Sequence, residues 1–564
     1  MPAPVPPLVE TPETAPPELD FAAVKAELGG AQPGETVLLA ELKQIILLED
    51  ASQLGTIQLA AGPTSNLPEF PHLDTEPLRG VIDLFVGESV SQESIQRLRL
   101  SLGLVLAEQG YPFSLVYTPP QDITDGVLQI VVKESQLGSL KINGGQYFSE
   151  QSYFGRLGLE PGGKIDSKAI QVGLDRINSN PFRSAAVQAE RGAEPATTDV
   201  VLQVRERRPY RVFAGYNNTG TDVTTEDRMF VGFTLGNVWG LAHLMTLQAT
   251  ADFDVKHSKA LSGNYSMDLP HNHNLSFSGA YSEIESVPNG GLDQEGTSWQ
   301  TSVNYTIPLQ SQKKEYRHHL EFGFDYKSSD NNLELNLPPF IIPISDNLTR
   351  VAQARIKYGG TLSDAWGSTR FGLELTYAPG GIGANNDDTS FAGSRALATA
   401  DYLYGNITLF RDTPLSGGRF TGSSWTIRGE LQLSDTNLLS SEQFSAGGSG
   451  SVRGYEEGEV IGDNAFFISQ EFLLPAMNPI LDLHFQRYTG SLRPFVFYDY
   501  ARTWNTDKLA GEKPFNLMSV GTGIRYQVSR NATFNFAYGW QLKDSGSSFT
   551  GDNSRAHVML QLSY

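Results

Sequence analysis

The chain has no cysteine among its 564 residues, which excludes a disulfide framework and a thiolate metal site without identifying a compartment. Positive charge is scarce. Lys and Arg total 42 against 63 Asp and Glu, for a formal net charge of −21 and an isoelectric point near 4.9. Nucleic acid, which demands basic faces, is therefore not an expected partner. Long apolar runs are missing too. No uninterrupted apolar stretch reaches the roughly 18 residues of a membrane helix, so a helical membrane protein is excluded. A membrane barrel is not, because strands alternating apolar-out and polar-in average to an ordinary mean hydropathy, here −0.27.

Motifs that carry catalysis are equally absent. There is no GxSxG, HExxH or dinucleotide fingerprint, and Gly162-Gly163-Lys164 lacks both the Walker spacing and the following Ser or Thr. His271 and His273 flank Asn272 in an expected turn, while His318 and His319 fall on opposite faces of a strand. Neither set has further ligands at metal spacing. Asn385-Asn386-Asp387-Asp388 lacks the glycine and terminal glutamate of a calcium loop. The expectation is no enzyme, no cofactor and no metal. The opening residues MPAPVPPLVE show neither the basic nor the apolar region of a signal peptide, so an exported protein would here be in mature or trimmed form.

Glycine (56), phenylalanine (30) and tyrosine (22) suit tight strand packing and aromatic girdles. Residues 1–34 are rich in Pro and Glu and read as a linker, with Leu19, Phe21, Val24 and Leu28 on one face of a short helix. Two units of strand, helix, helix, strand, strand follow, at 35–135 and 136–207. In the first, ETVLLAELKQIILLED reads as one long strand, and Ser91 caps a helix that ends at Gly110. From 208 to 564 the helix signals stop and sixteen alternating segments recur, an even number as a closed antiparallel barrel requires. Long connections, such as 328–347, alternate with short ones. A sandwich or propeller would need paired sheets or blades with apolar interiors, and neither pattern is present.

Between the eleventh and twelfth segments lies GGSGSVRGYEEGEVIGD, residues 447–463. It is too glycine-rich for regular structure and carries one arginine, Arg453. Such a loop suits a segment pinned by one charge partner, and a solvated surface loop is the competing reading.

From about Leu78 to Tyr564 the chain resembles the outer-membrane transporters of two-partner secretion (TpsB; the ShlB/FhaC/HecB hemolysin secretion/activation family). The resemblance rests on PPQDITDGVLQIVVKE, containing Pro119, Pro120, Gln121, Asp122 and Gly126, and on INSNPFRS with Asn180, Pro181 and Phe182. It rests also on RPYRVFAGYNNTGT, on TLGNVWGLAH, and on Val452-Arg453-Gly454-Tyr455, which matches the signature of the family's sixth outer loop. It implies a mixed fold: two periplasmic α+β POTRA domains (35–135 and 136–207) followed by a 16-stranded antiparallel transmembrane β-barrel. Loop 436–464 would fold inward, so that Arg453 meets Asp499 of the wall motif Phe497-Tyr498-Asp499. Strand parity agrees independently, since Phe497 and Asp499 share a face and an aspartate toward lipid would be expensive. Val558, Leu560, Leu562 and Tyr564 resemble the closing strand that barrel-assembly machinery recognises.

The implied function is ATP-independent export of an unfolded, TpsA-type exoprotein across the outer membrane of a Gram-negative-type bacterium, after capture by the POTRA domains. The other implied partners are outer-membrane lipid and lipopolysaccharide, with the barrel-assembly machinery during biogenesis. A monomer is expected, and residues 19–28 are a candidate plug. An outer-membrane insertase of the same superfamily is the alternative, and a passive porin a more distant one.

Overall fold

The computed structural model describes residues 34–564 except 58–63, 71–72, 110, 112, 134, 164, 166, 195–196, 287–291, 310, 312, 314, 338–339, 484–485, 529 and 547–552. The expected linker and its helix at 19–28 lie outside the described residues, as do Gly110 and Lys164. Two compact units divide between Arg208 and Pro209. No described helix is long and apolar enough to cross a membrane.

The N-terminal unit contains two three-stranded sheets of the same order. Gln44–Leu48 pairs parallel with Val127–Lys133, which pairs antiparallel with Leu115–Tyr117. Gln136–Asn143 pairs parallel with Thr197–Glu206, which pairs antiparallel with Arg183–Arg191. In each, the last strand is central and parallel to the first. Parallel neighbours need a crossover, which two helices supply each time: Glu76–Phe85 with Gln92–Glu108, then Glu150–Leu157 with Ser167–Asn178. Ser91 caps its helix, accepting from the Ser94 N–H at 2.9 Å, while the Ser94 side chain accepts from the Ser91 N–H at 2.8 Å.

One expectation is corrected here and one is completed. Residues 35–50 are not one strand: Val37–Leu39 pairs with Val90–Ser91, and only Gln44–Leu48 joins the first sheet. The chain changes partner at 42–43, where the Leu42 N–H donates to Glu88 O (2.9 Å) and the Lys43 N–H to Gly126 O (2.8 Å). The first of this unit's two expected helices, given no residues from the sequence, is Glu76–Phe85, where Leu78, Val81, Ile82 and Phe85 repeat at helical spacing and are all buried.

The second unit is a closed antiparallel barrel running from Tyr210–Asn217 to Ser554–Ser563, which pair to close it. Sixteen strands form the wall; Ile480–Leu483 continues the twelfth (Asn464–Leu473) beside the thirteenth (Gln486–Trp504) after a break. The rim where the first strand starts is called the near rim, and the opposite one the far rim. Side chains alternate as the pleat demands. On the thirteenth strand Val496 faces outward and is half exposed, while Phe495, Phe497 and Asp499 are buried inside.

The connection at 328–347 is not a loop over most of its length. The seventh and eighth strands, Tyr316–Leu337 and Phe340–Asp364, remain paired from Tyr316↔Leu362 to Leu337↔Phe340. Alternation of Leu333, Leu335 and Leu337 with polar residues carries the strand onward. On the far side, Asp388–Ser394 forms a short helix, with Asp387 capping it by accepting from the Ser390 N–H at 3.0 Å. The acidic run at 385–388 is therefore a helix start.

Candidate functional site

The connection from 435 to 463 joins the eleventh strand (Ser423–Ser434) to the twelfth at the far rim. It is a hairpin: Phe444–Ala446 pairs antiparallel with Val460–Gly462. Its tip carries Val452-Arg453-Gly454-Tyr455 down to the inner wall. Ser469, directly opposite Asp499, lies five positions in from Asn464, roughly 16 Å along the strand.

At that depth a guanidinium meets two carboxylates. Arg453 Nε donates to Asp499 Oδ2 and Nη2 to Asp499 Oδ1, both at 2.8 Å, and the Arg453 backbone N–H adds a third bond to Oδ2 at 3.1 Å. Nη1 donates to Glu471 Oε1 at 2.5 Å, and the other oxygen of Glu471 accepts from Arg525 Nη2, also at 2.5 Å. Ser469 Oγ donates to Asp499 Oδ1 at 2.6 Å. Two cations and two anions thus cancel. Arg453 is only 7 % exposed and Asp499 0 %, so each charge depends on the others for its solvation. The Phe497 ring lies 3.6 Å from the guanidinium carbon, which covers the face that hydrogen bonds leave open.

The neighbours of Arg453 are held as closely. Gly454 has φ +92°, and a Cβ there would sit 2.9 Å from the carbonyl carbon and oxygen of Gly539. Only glycine allows both that conformation and that approach. Its N–H donates to His557 Nε2 at 3.0 Å, and its carbonyl accepts from Gln541 Nε2 at 2.8 Å. The Tyr455 hydroxyl accepts from the Met518 N–H at 3.1 Å and reaches the carbonyls of Met518 and Lys543. Val452 and Tyr455 pack with Phe444, Val460, Phe467, Ala501 and Leu517 in one apolar cluster.

The stem is fixed separately. Asp463, fully buried, takes both nitrogens of the Arg395 fork at 2.6 and 3.1 Å and the Leu438 N–H at 2.9 Å. Glu442 accepts from Lys327 Nζ at 2.8 Å, from Gln353 Nε2 at 3.1 Å and from the Tyr404 hydroxyl at 3.1 Å. Closing a loop of this length costs about 3 kcal/mol in chain entropy, before each residue is ordered. Contacts spread from tip to stem offset that cost; one ion pair would not.

The remaining expected residues serve the N-terminal sheets, apart from Tyr564 at the barrel seam. Gln121 bonds both backbone groups of Gln129, accepting from its N–H at 2.8 Å and donating to its carbonyl at 2.6 Å. Asp122 Oδ1 accepts from the Thr124 N–H at 3.0 Å, and Gly126 turns at φ +86° into the central strand. Pro119 and Pro120 lead into this turn. Asn180 Oδ1 accepts from the Phe182 N–H at 3.1 Å, beside Pro181, and Phe182 is buried. Tyr564 and Val212 exchange both backbone bonds at the barrel seam, and the Tyr564 ring is 82 % exposed on the outer face. None of these touches the loop site.

Glu471, Ser469, His557 and Gly539 were missed. Glu471 had a signal: a carboxylate within an alternating strand must face the lumen, as Asp499 must. His557 and Gly539 had none. Of the other histidines, His318 Nδ1 lies 2.9 Å from the Tyr358 hydroxyl, and His273 bonds the Tyr305 hydroxyl. Among the described residues no group of His, Asp and Glu is placed to hold a metal.

The family model for haemolysin secretion/activation protein ShlB/FhaC/HecB matches residues 196–526, over half of the chain. The chain belongs to that family. A ShlB-type POTRA domain model matches residues 66–135 as well. The Outer membrane transporter CdiB of Dickeya dadantii (strain 3937) is 24 % identical over 397 residues, 67 % of this chain and 66 % of the relative. The Heme/hemopexin transporter protein HuxB of Haemophilus influenzae is 19 % identical over 263 residues, 43 % of this chain and 46 % of the relative. The chain thus spans no more than about two thirds of these curated relatives. Solved structures of CdiB share the fold. That from Escherichia coli superposes with a TM-score of 0.72 at 16 % identity, covering 96 % of this chain and 95 % of that one. That from Acinetobacter baumannii gives 0.65 at 17 %, covering 98 % and 94 %. The ShlB/FhaC/HecB family is one of secretion transporters and not of enzymes, and its barrels lie in the outer membrane of Gram-negative-type cells.

Proposed function

We propose that this protein is an outer-membrane export pore for a secreted partner polypeptide, held shut or narrowed by the loop at 435–463. The near rim, where the chain enters the barrel, is periplasmic, and the loop descends from the cell surface. The observation that carries the reading is the fixing of an inward hairpin to the wall by exchangeable polar contacts centred on Arg453 and Asp499. A permanent plug has no need of so many contacts that water can replace. The naming of CdiB and HuxB as transporters supports the same conclusion.

Unfolded partner is first held in the periplasm by pairing with a free sheet edge. The first sheet offers little edge, because the Asn66 amide accepts from the Leu47 N–H (2.7 Å) and donates to its carbonyl (2.9 Å). Gln136–Asn143 is longer and its middle is uncovered among the described residues, so it is the favoured edge. The partner then crosses as an extended chain while the hairpin withdraws. The chain works without ATP, with folding of the cargo outside as the driving force. It acts as a monomer set in outer-membrane lipid and lipopolysaccharide, after insertion by the barrel-assembly machinery.

The test is secretion of the encoded partner from cells carrying wild type or Arg453→Ala. Wild type should export it; the variant should reach the outer membrane folded and export at least about tenfold less, the loss expected when roughly 1.4 kcal/mol of positioning is removed. Failure of wild type to export, with other barrels failing to insert on depletion, would instead make the protein an insertase.

A further inference from the structure

Three arginines away from the loop tip stand in a single row across the inner wall. Direct cross-strand neighbours run Arg317, Thr361, Arg370, Phe410, Arg428, Ser469 and Asp499. Arginines on every second strand are spaced roughly 10 Å apart. They are the second, fourth and sixth residues of the seventh, ninth and eleventh strands, all of which start at the near rim. The row therefore climbs from that rim to Asp499, as the stagger of tilted barrel strands requires.

A cavity of about 610 Å³ follows the row, lined by these arginines together with His319, Lys357 and Glu430. Its cations are largely uncommitted. Among the described residues the Arg317 side chain has no ion pair or hydrogen bond. The Arg370 guanidinium carbon lies over the Phe410 ring, 4.3 Å from its centre, and among the described residues Arg370 has no carboxylate partner. Arg428 is 3.9 Å from Glu430 and gives Nη1 to the Gly450 carbonyl at 2.9 Å. Glu374, on a neighbouring row, is already shared by Arg355 and Lys357 at 3.6 Å each. Around the third to sixth strands the inward residues are neutral apart from Asp268 at the near-rim end of the fourth, among them Thr246, Gln248, Asn264, Ser278 and Gln300.

We propose that this row is a carboxylate-binding track for an acidic, extended segment of the polypeptide in transit, a role that rests on the export reading. A polyproline-II chain presents the same face every three residues, roughly 9 Å, close to the spacing of the arginines. The small Thr361 leaves room for a backbone between Arg317 and Arg370. The upper end of the track is also the lower edge of the hairpin. A carboxylate that takes Arg428 competes with the Gly450 carbonyl, so arrival of cargo loosens the tip beside Arg453.

The test measures binding apart from export. A fluorescent peptide with glutamate at every third position, and its lysine counterpart, are titrated against the full-length protein in detergent by anisotropy. The glutamate peptide should bind at least roughly tenfold tighter, the scale on which a cleft of one sign concentrates its counter-charge. The preference should fall from 0.1 to 1 M salt, as the screening length shrinks from about 10 to about 3 Å. Arg317→Gln with Arg370→Gln leaves the Gly450 contact in place and should abolish the preference, with heat-modifiable gel mobility showing a folded barrel. Equal binding of the two peptides, or an unchanged preference in the folded double variant, overturns the proposal. Selective binding without export of the partner would leave the track standing and remove the export reading.

Discussion

At the scale of single residues, the two carboxylates around Arg453 are not equivalent. Asp499 takes three of its donors and has no other cation among the described residues, whereas Glu471 divides its oxygens between Arg453 and Arg525. Removing Asp499 strands a buried guanidinium, which costs on the order of 3–5 kcal/mol. Removing Glu471 leaves Arg453 its main partner and frees Arg525, whose side chain is 44 % exposed, to turn toward water. Asp499→Ala should therefore release the tip, and Glu471→Ala should do so far less, as read by hydrogen exchange of 447–459. Equal effects would mean that the pair is not the organising contact. Gly454→Ala changes no charge, yet its methyl would strike the Gly539 backbone; it should detach the tip as completely as Asp499→Ala in the same measurement. The pairing of Arg453 with Asp499 was legible from parity and motif. The Gly454–Gly539 contact was not, because two glycines meeting across the lumen leave no pattern along the chain.

At the scale of elements, alternation found the strands but not how far they extend. The hairpin at 328–347 reads as a loop because Ser, Asp and Asn dominate its start, and those residues disfavour strands only weakly when both neighbours already pair. The helix Glu76–Phe85 was hidden by the Pro- and Gly-rich stretch before it. Within the second sheet, the Lys141 ammonium, 2.7 Å from Asp199, is the chief cause holding that carboxyl below the usual range, helped by Ser139. A lowered folded value means that the contribution is present above the unfolded value, about pH 3.9, and is lost as pH falls through the folded one. Exchange protection of 136–143, corrected for intrinsic rates, should thus be lower in Asp199→Asn than in wild type at pH 7. The difference should shrink as pH falls below the unfolded value, and a difference that did not change with pH would assign the effect to packing.

At the scale of the whole molecule, the strand count and closed barrel followed from alternation, an even number of strands and the lack of long apolar runs. Glycine clustered around one arginine singled out the loop at 447–463, and the family resemblance, with strand parity, pointed it inward. What did not follow is how many contacts fix that loop. Its stem bonds at Asp463 and Glu442 link residues up to 115 positions apart, and no local spacing announces them. The absence of cysteine makes the central claim directly testable. The Glu456 carboxylate accepts from the Asp222 N–H at 2.7 Å, tying the tip to the first far-side connection. Cysteines at these two positions, joined in cells by a short reducible cross-linker, would hold the hairpin inside the barrel. Secretion of the partner should stop in the cross-linked protein and return on reduction. Undiminished secretion by the fully cross-linked protein would show that the hairpin does not withdraw, and would contradict the account.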